Sequence, residues 1–304
     1  MMRFHCFQIG LMSLVLSSGA LQAAAGCGGH GDPATMLVST NWLAEHLKDP
    51  DLVLIGVGTA ESYGKGHIPG AVLLTLAEVS AKGVPLTLEL PPMGDLAETF
   101  RGKGVSDQSR IVIYTMESSI QSTTRVYLTL DAMGLARNTS LLNGGFNLWK
   151  AEGREVTTAV PAVRRGNVQP CEQHDIVVEA GYVRSSVHHS GIGIVDARLP
   201  AFYSGEQIPN GQRAGHIPGA ANVPFNSLVD EQGKLKSKEA ITALFTAAGI
   251  KSGDQVVSYC HIGQQATVVY FAARYLGYDA RLYDGSWQDW SAHQEFPVET
   301  TLPH

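Results

Sequence analysis

The stretch Gly66-His67-Ile68-Pro69-Gly70-Ala71 returns as Gly215-His216-Ile217-Pro218-Gly219-Ala220, 149 residues further along the chain. Six identical residues in a row mark one supersecondary unit built twice. A short apolar run precedes each copy, Leu52-Val53-Leu54-Ile55 and Ile192-Gly193-Ile194-Val195, and reads as a buried strand entering a loop. A second run follows each copy, Arg110-Ile111-Val112-Ile113-Tyr114 and Gln255-Val256-Val257-Ser258-Tyr259, and then a helical stretch. The order closes on Asn143-Gly144-Gly145-Phe146-x-x-Trp149 in one half and Asp284-Gly285-Ser286-Trp287-x-x-Trp290 in the other. Strands alternating with helices predict an α/β fold, each half a mainly parallel sheet covered by helices on both faces.

The boundaries follow from this order. Residues 35–156 and 175–297 form two domains of ordinary size. Between them, residues 157–174 carry Pro, Gly and polar side chains without helix or strand periodicity and read as a linker. The 304-residue length suits two domains. With 16% charged and 44% hydrophobic residues, and 33 Gly and 14 Pro scattered along the chain, disordered and collagen-like classes are excluded. A formal charge of −6 also argues against a nucleic-acid partner, which needs excess Lys and Arg to neutralise phosphates.

The first 25 residues read as an address. Arg3 supplies a positive start, Ile9 to Leu16 an apolar stretch, and Ala23-Ala24-Ala25 a small-residue cleavage site, the layout of a secretory signal peptide. The apolar stretch falls short of the roughly 20 residues a membrane span needs. Export to the periplasm or the exterior is the expectation. Ala24-Ala25-Gly26-Cys27 also resembles a lipobox, so a lipid anchor at Cys27 ranks second.

Of the four cysteines, Cys6 leaves with the leader, and Cys27, Cys171 and Cys260 remain. Their spacing fits no metal site, and an odd number in an oxidising compartment leaves at least one thiol free, lipidated or shared with another chain. Cys171, on the linker, is read as an unreactive thiol.

Cys260 has the informative surroundings. Strand 255–259 delivers it to the carboxyl end of a parallel strand, where open α/β sheets place ligands. A short loop, His261-Ile262-Gly263-Gln264-Gln265, then enters a helix from Ala266 to Leu276, capped by Gly277. Val268, Ala272 and Tyr275 share one face of it. A thiol at this place meets unpaired N–H groups and the positive end of the helix dipole, which favour an anionic sulfur, thiolate or persulfide. Gly263 permits the tight wrap. The expectation is a solvent-reachable sulfur ringed by amides; a sulfur buried away from solvent, or amides aimed elsewhere, would sink the enzymatic assignment and leave only the duplicated architecture.

Taken together, Asp196-Ala197-Arg198, the two Gly-His-Ile-Pro-Gly-Ala stretches, Cys260-His261-Ile262-Gly263-Gln264-Gln265-Ala266 and Tyr283-Asp284-Gly285-Ser286-Trp287 resemble the two-domain rhodanese family of sulfurtransferases. The resemblance spans about residues 35–297 and implies two tandem rhodanese-like domains. It implies that the second domain is catalytic through Cys260 and the first is not. The sequence agrees, since Thr115 and Met116 stand where the first half would need a cysteine, and Glu117 would repel an anion. The implied chemistry is ping-pong sulfur transfer: Cys260 takes sulfane sulfur from a small anionic donor and passes it to a thiol, cyanide or protein-thiol acceptor. No metal or organic cofactor is implied.

Amides from Ile262 to Ala266 would hold the charge. His261, Gln264 and Gln265 are neutral or switchable, so recognition of a donor anion falls to Arg198 and Arg213. For Arg198 the first reading is a structural brace on Asp196 or another carboxylate, with anion recognition second. Thiosulfate is slightly preferred as donor over 3-mercaptopyruvate. Cysteine phosphatases use a similar anion loop but close it with an Arg, where this chain has Ala266. A non-catalytic sulfur carrier or partner-binding module is the alternative from another functional class. His67 and His216 recur in both halves and read as turn braces, Trp287 and Trp290 as core, and Asp284 as a helix cap.

Overall fold

Apolar runs too short for helices fold here as the centres of two sheets. The computed structural model describes residues 31–301, so the proposed leader and Cys27 lie outside the described residues. The first half runs β1 (Leu37–Val38), α1 (Thr40–His46), β2 (Leu52–Val57), α2 (Ala60–Lys65), β3 (Val72–Leu74), α3 (Met93–Gly102), β4 (Arg110–Thr115), α4 (Gln121–Ala132), β5 (Thr139–Leu142) and α5 (Gly145–Ala151). The second half repeats the plan with β6 (Val177–Val178), α6 (Ala180–Ser186), β7 (Ile192–Asp196), α7 (Pro200–Ser204), β8 (Ala221–Asn222), α8 (Lys238–Ala247), β9 (Gln255–Tyr259), α9 (Ala266–Leu276), β10 (Asp279–Tyr283) and α10 (Ser286–Ala292). Each half is a five-stranded sheet, ordered β1-β5-β4-β2-β3 and β6-β10-β9-β7-β8, with every neighbouring pair parallel.

The strand order fixes where chemistry can sit. From the central pair, the chain proceeds outward to β8 on one side and to β10 on the other. A crevice therefore opens beyond the carboxyl ends of β7 and β9, the usual ligand position in such sheets. Asp196, the last residue of β7, lies in register with Tyr259, the last of β9. Arg198 and Cys260 leave the sheet side by side.

The repeated histidines are braces in both halves. His67 Nδ1 bonds the Tyr63 carbonyl at 3.0 Å, and His216 Nδ1 bonds that of Tyr203 at 2.8 Å. Each imidazole stacks on the same tyrosine at 3.7 Å. The hydroxyls of Tyr63 and Tyr203 donate to Ala71 and Ala220, closing each Gly-His-Ile-Pro-Gly-Ala turn on its own helix. A second pair of tyrosines pins the turns to the sheets: the N–H groups of Ile68 and Ile217 donate to the hydroxyls of Tyr114 and Tyr259. These phenols are fully buried, and each satisfies an N–H that would otherwise cost about 1–3 kcal/mol. Trp287 and Trp290 are fully buried, as expected of core aromatics.

Helix α9 departs from the one-sided helix that its pattern predicts. All residues from Ala266 to Arg274 are buried, because the face away from its own sheet packs on α4 of the other domain. Tyr127 meets Phe271 edge-on at 4.7 Å, the hydroxyls of Thr124 and Thr267 share a 2.7 Å hydrogen bond, and Tyr270 donates to Asp131 at 2.6 Å. One apolar cluster runs through both domains, so their interface has the character of a core.

Residues 158–173 have no regular structure but lie along the first domain. The N–H groups of Gly166, Val168, Cys171 and Gln173 donate to carbonyls of Arg101, Val105, Met133 and Ala132. Cys171 is disulfide-bonded, which corrects its reading as an unreactive thiol. Among the described residues, no helix is long and apolar enough to cross a membrane.

Candidate active site

Cys260 follows β9 directly, and the next residues turn back over its side chain. The N–H groups of Ala266, Ile262, Gln265 and Gly263 lie around its sulfur and each pulls the thiol pKa down. Gly263 makes this wrap possible, since its φ of +78° lies in the left-handed region. Thr267, in the first turn of α9, ties the loop down: its hydroxyl donates to Gln264 O at 2.7 Å.

The amide ring matches the sequence expectation, but the exposure does not. Cys260 is fully buried, and burial pushes its thiol above the ordinary value even though the amides pull it down. The expectation of a reachable, net-acidified sulfur is thus corrected. Desolvation of a charged sulfur outweighs the pull of the amides.

The charges beside the sulfur form a buried ion pair. Arg198 is fully buried and grips Asp196 with Nε at 3.0 Å and Nη2 at 2.6 Å, while Nη2 also reaches Gly215 O at 2.8 Å. Burial opposes its charge, but Asp196 outweighs that opposition and raises the guanidinium pKa, with a smaller contribution from Cys260 itself. The guanidinium lies over the Trp287 ring at 4.6 Å, and its Nη1 is a buried donor without a partner among the described residues. Arg198 is therefore a brace with one N–H in reserve. His261 is pushed down to about 4, first by burial and then by Arg198, so its imidazole is neutral near pH 7. Its ring meets Phe202 edge-on at 4.6 Å.

The other predicted residues divide. Ile262, Gly263, Gln265 and Ala266 contribute amides, while the Gln264 side chain reaches across the interface to Ser122 at 3.0 Å. Arg213 does not join the site: its terminal nitrogens donate to the carbonyls of Phe296 and Trp290, bracing the end of α10. Asp284 is not the helix cap, a position taken by Gly285; its carboxylate instead pairs with Arg125 of the first domain. The first domain does form a cavity of about 790 Å³ with the second, but it is lined by Glu89, Glu179, Asp284 and Asp289, and no residue of the Cys260 loop lines it. Such carboxylates repel an anionic donor.

Ser286 is a participant the sequence reading passed over. Its hydroxyl accepts the Cys260 N–H at 3.1 Å and donates to Tyr283 O at 2.9 Å, so it holds the backbone of the cysteine itself. Its φ of +52° is unusual for a residue with a side chain. The first half has Gly145 at the matching place, also at positive φ. A serine where the silent half has glycine was the available signal.

The comparisons with known proteins agree with this geometry. A family model described as a rhodanese-like domain matches residues 39–152 and 179–293. The chain belongs to the rhodanese family. A 3-mercaptopyruvate sulfurtransferase of Escherichia coli (strain K12) is 31% identical over 278 residues, covering 87% of this chain and 98% of that protein. A thiosulfate sulfurtransferase of Azotobacter vinelandii is 30% identical over 258 residues, covering 84% of this chain and 94% of the relative. The crystal structure of SseA from Escherichia coli, described as showing the rhodanese fold of 3-mercaptopyruvate sulfotransferases, superposes with a TM-score of 0.75 at 30% identity. That superposition covers 83% of this chain and 99% of the other.

Replacing Ser286 separates strain from bonding. Ser286→Ala and Ser286→Gly both lose the bond to the Cys260 N–H, so both are expected to lower kcat. Glycine adopts the left-handed turn freely, and the alanine variant is expected to be about 1 kcal/mol less stable than the glycine variant in urea unfolding. Equal stabilities would show that the turn holds no strain.

Proposed function

We propose that the protein is a sulfurtransferase that carries sulfane sulfur on Cys260. The observation that supports this best is the convergence of four backbone N–H groups on one cysteine sulfur. Such an arrangement suits a persulfide, whose outer sulfur bears charge near its base. Cys260 Sγ, as thiolate, attacks the sulfane sulfur of a donor; the S–S bond forms as the donor's own bond to that sulfur breaks, and the electron pair leaves with the donor remnant. A thiol or cyanide acceptor then attacks the outer sulfur and returns Cys260 to the thiolate. The proton lost from Cys260 passes to solvent or to the departing anion.

Cys260 is buried, the outcome that the sequence reading set against an enzyme; the sulfurtransferase relatives of the same fold support the enzymatic reading despite it, and a donor must then displace the side chains that cover the sulfur. His261, next to Cys260, is part-exposed, and its ring meets Phe202 edge-on at the rim that a donor would have to pass. The spare N–H of Arg198 is the candidate contact for a donor anion. The loop has neither extra cations nor a run of hydroxyls, so its residues fit thiosulfate and 3-mercaptopyruvate alike, the donors named for the relatives above.

Steady-state assays with each donor and cyanide or a thiol test the proposal. Turnover lost on Cys260→Ser, with intact-mass detection of one added sulfur on the wild type alone, is the expected result. Sulfur loading without turnover would favour a carrier over an enzyme. Loading that persists in Cys260→Ser would overturn the assignment.

We also propose export. The leader-like composition of residues 1–25 supports it, as does the disulfide at Cys171, a bond that persists in oxidising compartments. Mass spectrometry of the mature chain is expected to find an N-terminus at Gly26. An N-terminus at a lipidated Cys27 would favour the anchored form, and an intact Met1 would contradict export.

A further inference from the structure

Arg125 lies in α4, in the domain without a cysteine at its strand end, yet its guanidinium is fully buried against the other domain. Nη1 and Nη2 together clasp the Asp284 carboxylate, Nη2 at 2.9 Å from Oδ2. Nη2 also donates to the carbonyl of Leu88, a non-glycine residue with φ of +65°. Nη1 donates at 3.3 Å to the carbonyl of Gly263, in the loop that wraps Cys260. One side chain thus ties together a first-domain loop, the turn after β10 and the Cys260 loop.

The contact with Gly263 bears on the direction of the amides. A trans peptide is planar, with its C=O and N–H pointing to opposite sides. A Gly263 carbonyl held by Arg125 fixes the plane of the peptide between Gly263 and Gln264, and with it the course of the loop that carries the Gly263 and Gln265 amides past the sulfur. Arg125 and Asp284 also press directly on this glycine: a Cβ there would meet Asp284 Oδ1 at 2.5 Å and Arg125 Nη1 at 3.3 Å. The ion pair is the outer wall against which the loop is folded.

The arrangement runs in one direction only. With the strand ends Tyr114 and Tyr259 matched, Arg125 corresponds to Tyr270, and in the repeated motif Asp284 corresponds to Asn143. No such pair forms at the corresponding positions of the second domain, although Arg274 of α9 approaches Asp131 of α4 at 3.6 Å. Tyr270 bonds Asp131, and Asn143 accepts the N–H of Leu235. The pair is present only toward the loop that has a cysteine to hold.

We propose that Arg125 is a positioning residue for the sulfur chemistry of the other domain, fixing the Gly263 peptide so that the loop amides face Cys260 Sγ. The first domain is then a working part of the active site. This deepens the Cys260 reading and rests on it. The groups near the sulfur are Arg198 with Asp196 beyond the end of β7, Tyr259 on β9 and His261 in the loop, with Asp284 against Gly263. Arg125 bonds to Asp284 alone among them, so a change at Arg125 reaches the sulfur through the loop.

The test compares the full-length wild type with Arg125→Lys and with the double variant Arg125→Met/Asp284→Leu, which removes both buried charges and is expected to fold. Circular dichroism and thermal unfolding establish the fold; the pH dependence of iodoacetamide alkylation at Cys260 reads the thiolate, and donor kinetics give kcat and KM. Both variants are expected to alkylate at a higher pH midpoint. Their kcat is expected to fall on the order of 10- to 100-fold while KM changes much less. A folded variant, double or single, with the wild-type midpoint and kcat would overturn the positioning role. The Cys260 reading fails separately, if the wild type itself takes up no sulfur on Cys260 from either donor.

Discussion

Four backbone N–H groups, those of Ile262, Gly263, Gln265 and Ala266, gather around one atom, and most of what surrounds them follows from that requirement. Amides cannot be aimed one at a time, because each is set by the torsions of its neighbours. A left-handed Gly263, the start of α9 at Ala266 and the end of β9 at Tyr259 jointly determine the curve. Ser286 secures the cysteine's own N–H from one side and Arg125 the Gly263 carbonyl from another. The energetic balance at rest is against a charged sulfur, since burial exceeds what the amides return.

The two halves keep one scaffold and differ at the strand end, Thr115 in the first and Cys260 in the second. Both retain the histidine stacked on tyrosine and the buried phenol that accepts an isoleucine N–H. In the silent half, the loop after β4 closes on a hydroxyl: Thr115 Oγ1 accepts the Glu117 N–H at 3.2 Å and donates to Ser119 O at 2.9 Å. The same geometry that could grip an anion is satisfied internally. What the silent half contributes is the packing of α4 against α9 and, through Arg125, a fixed point for the loop opposite.

The sequence made the architecture legible because local patterns carried it. The repeated turn, the strands ending at Tyr114 and Tyr259 and the helix from Ala266 to Gly277 are short-range features. Cys260 and its amide loop were readable for the same reason. The contacts that bring distant segments together were not. Arg125 sits in an unremarkable helix whose burial depends on the other domain, Asp284 reads as a cap until its partner is known, and Arg213 reads as an anion contact until its carbonyl partners at the end of α10 appear. The burial of Cys260 is likewise a tertiary property, and the bond at Cys171 depends on chain proximity that spacing does not encode.

A crystal structure of the protein loaded with sulfur from thiosulfate or 3-mercaptopyruvate addresses the central claim without intermediaries. One additional sulfur atom bonded to Cys260 Sγ, within hydrogen-bonding distance of the loop N–H groups, is the outcome this account predicts. Sulfur on a different residue, or a loop whose N–H groups turn away from the loaded cysteine, would contradict it.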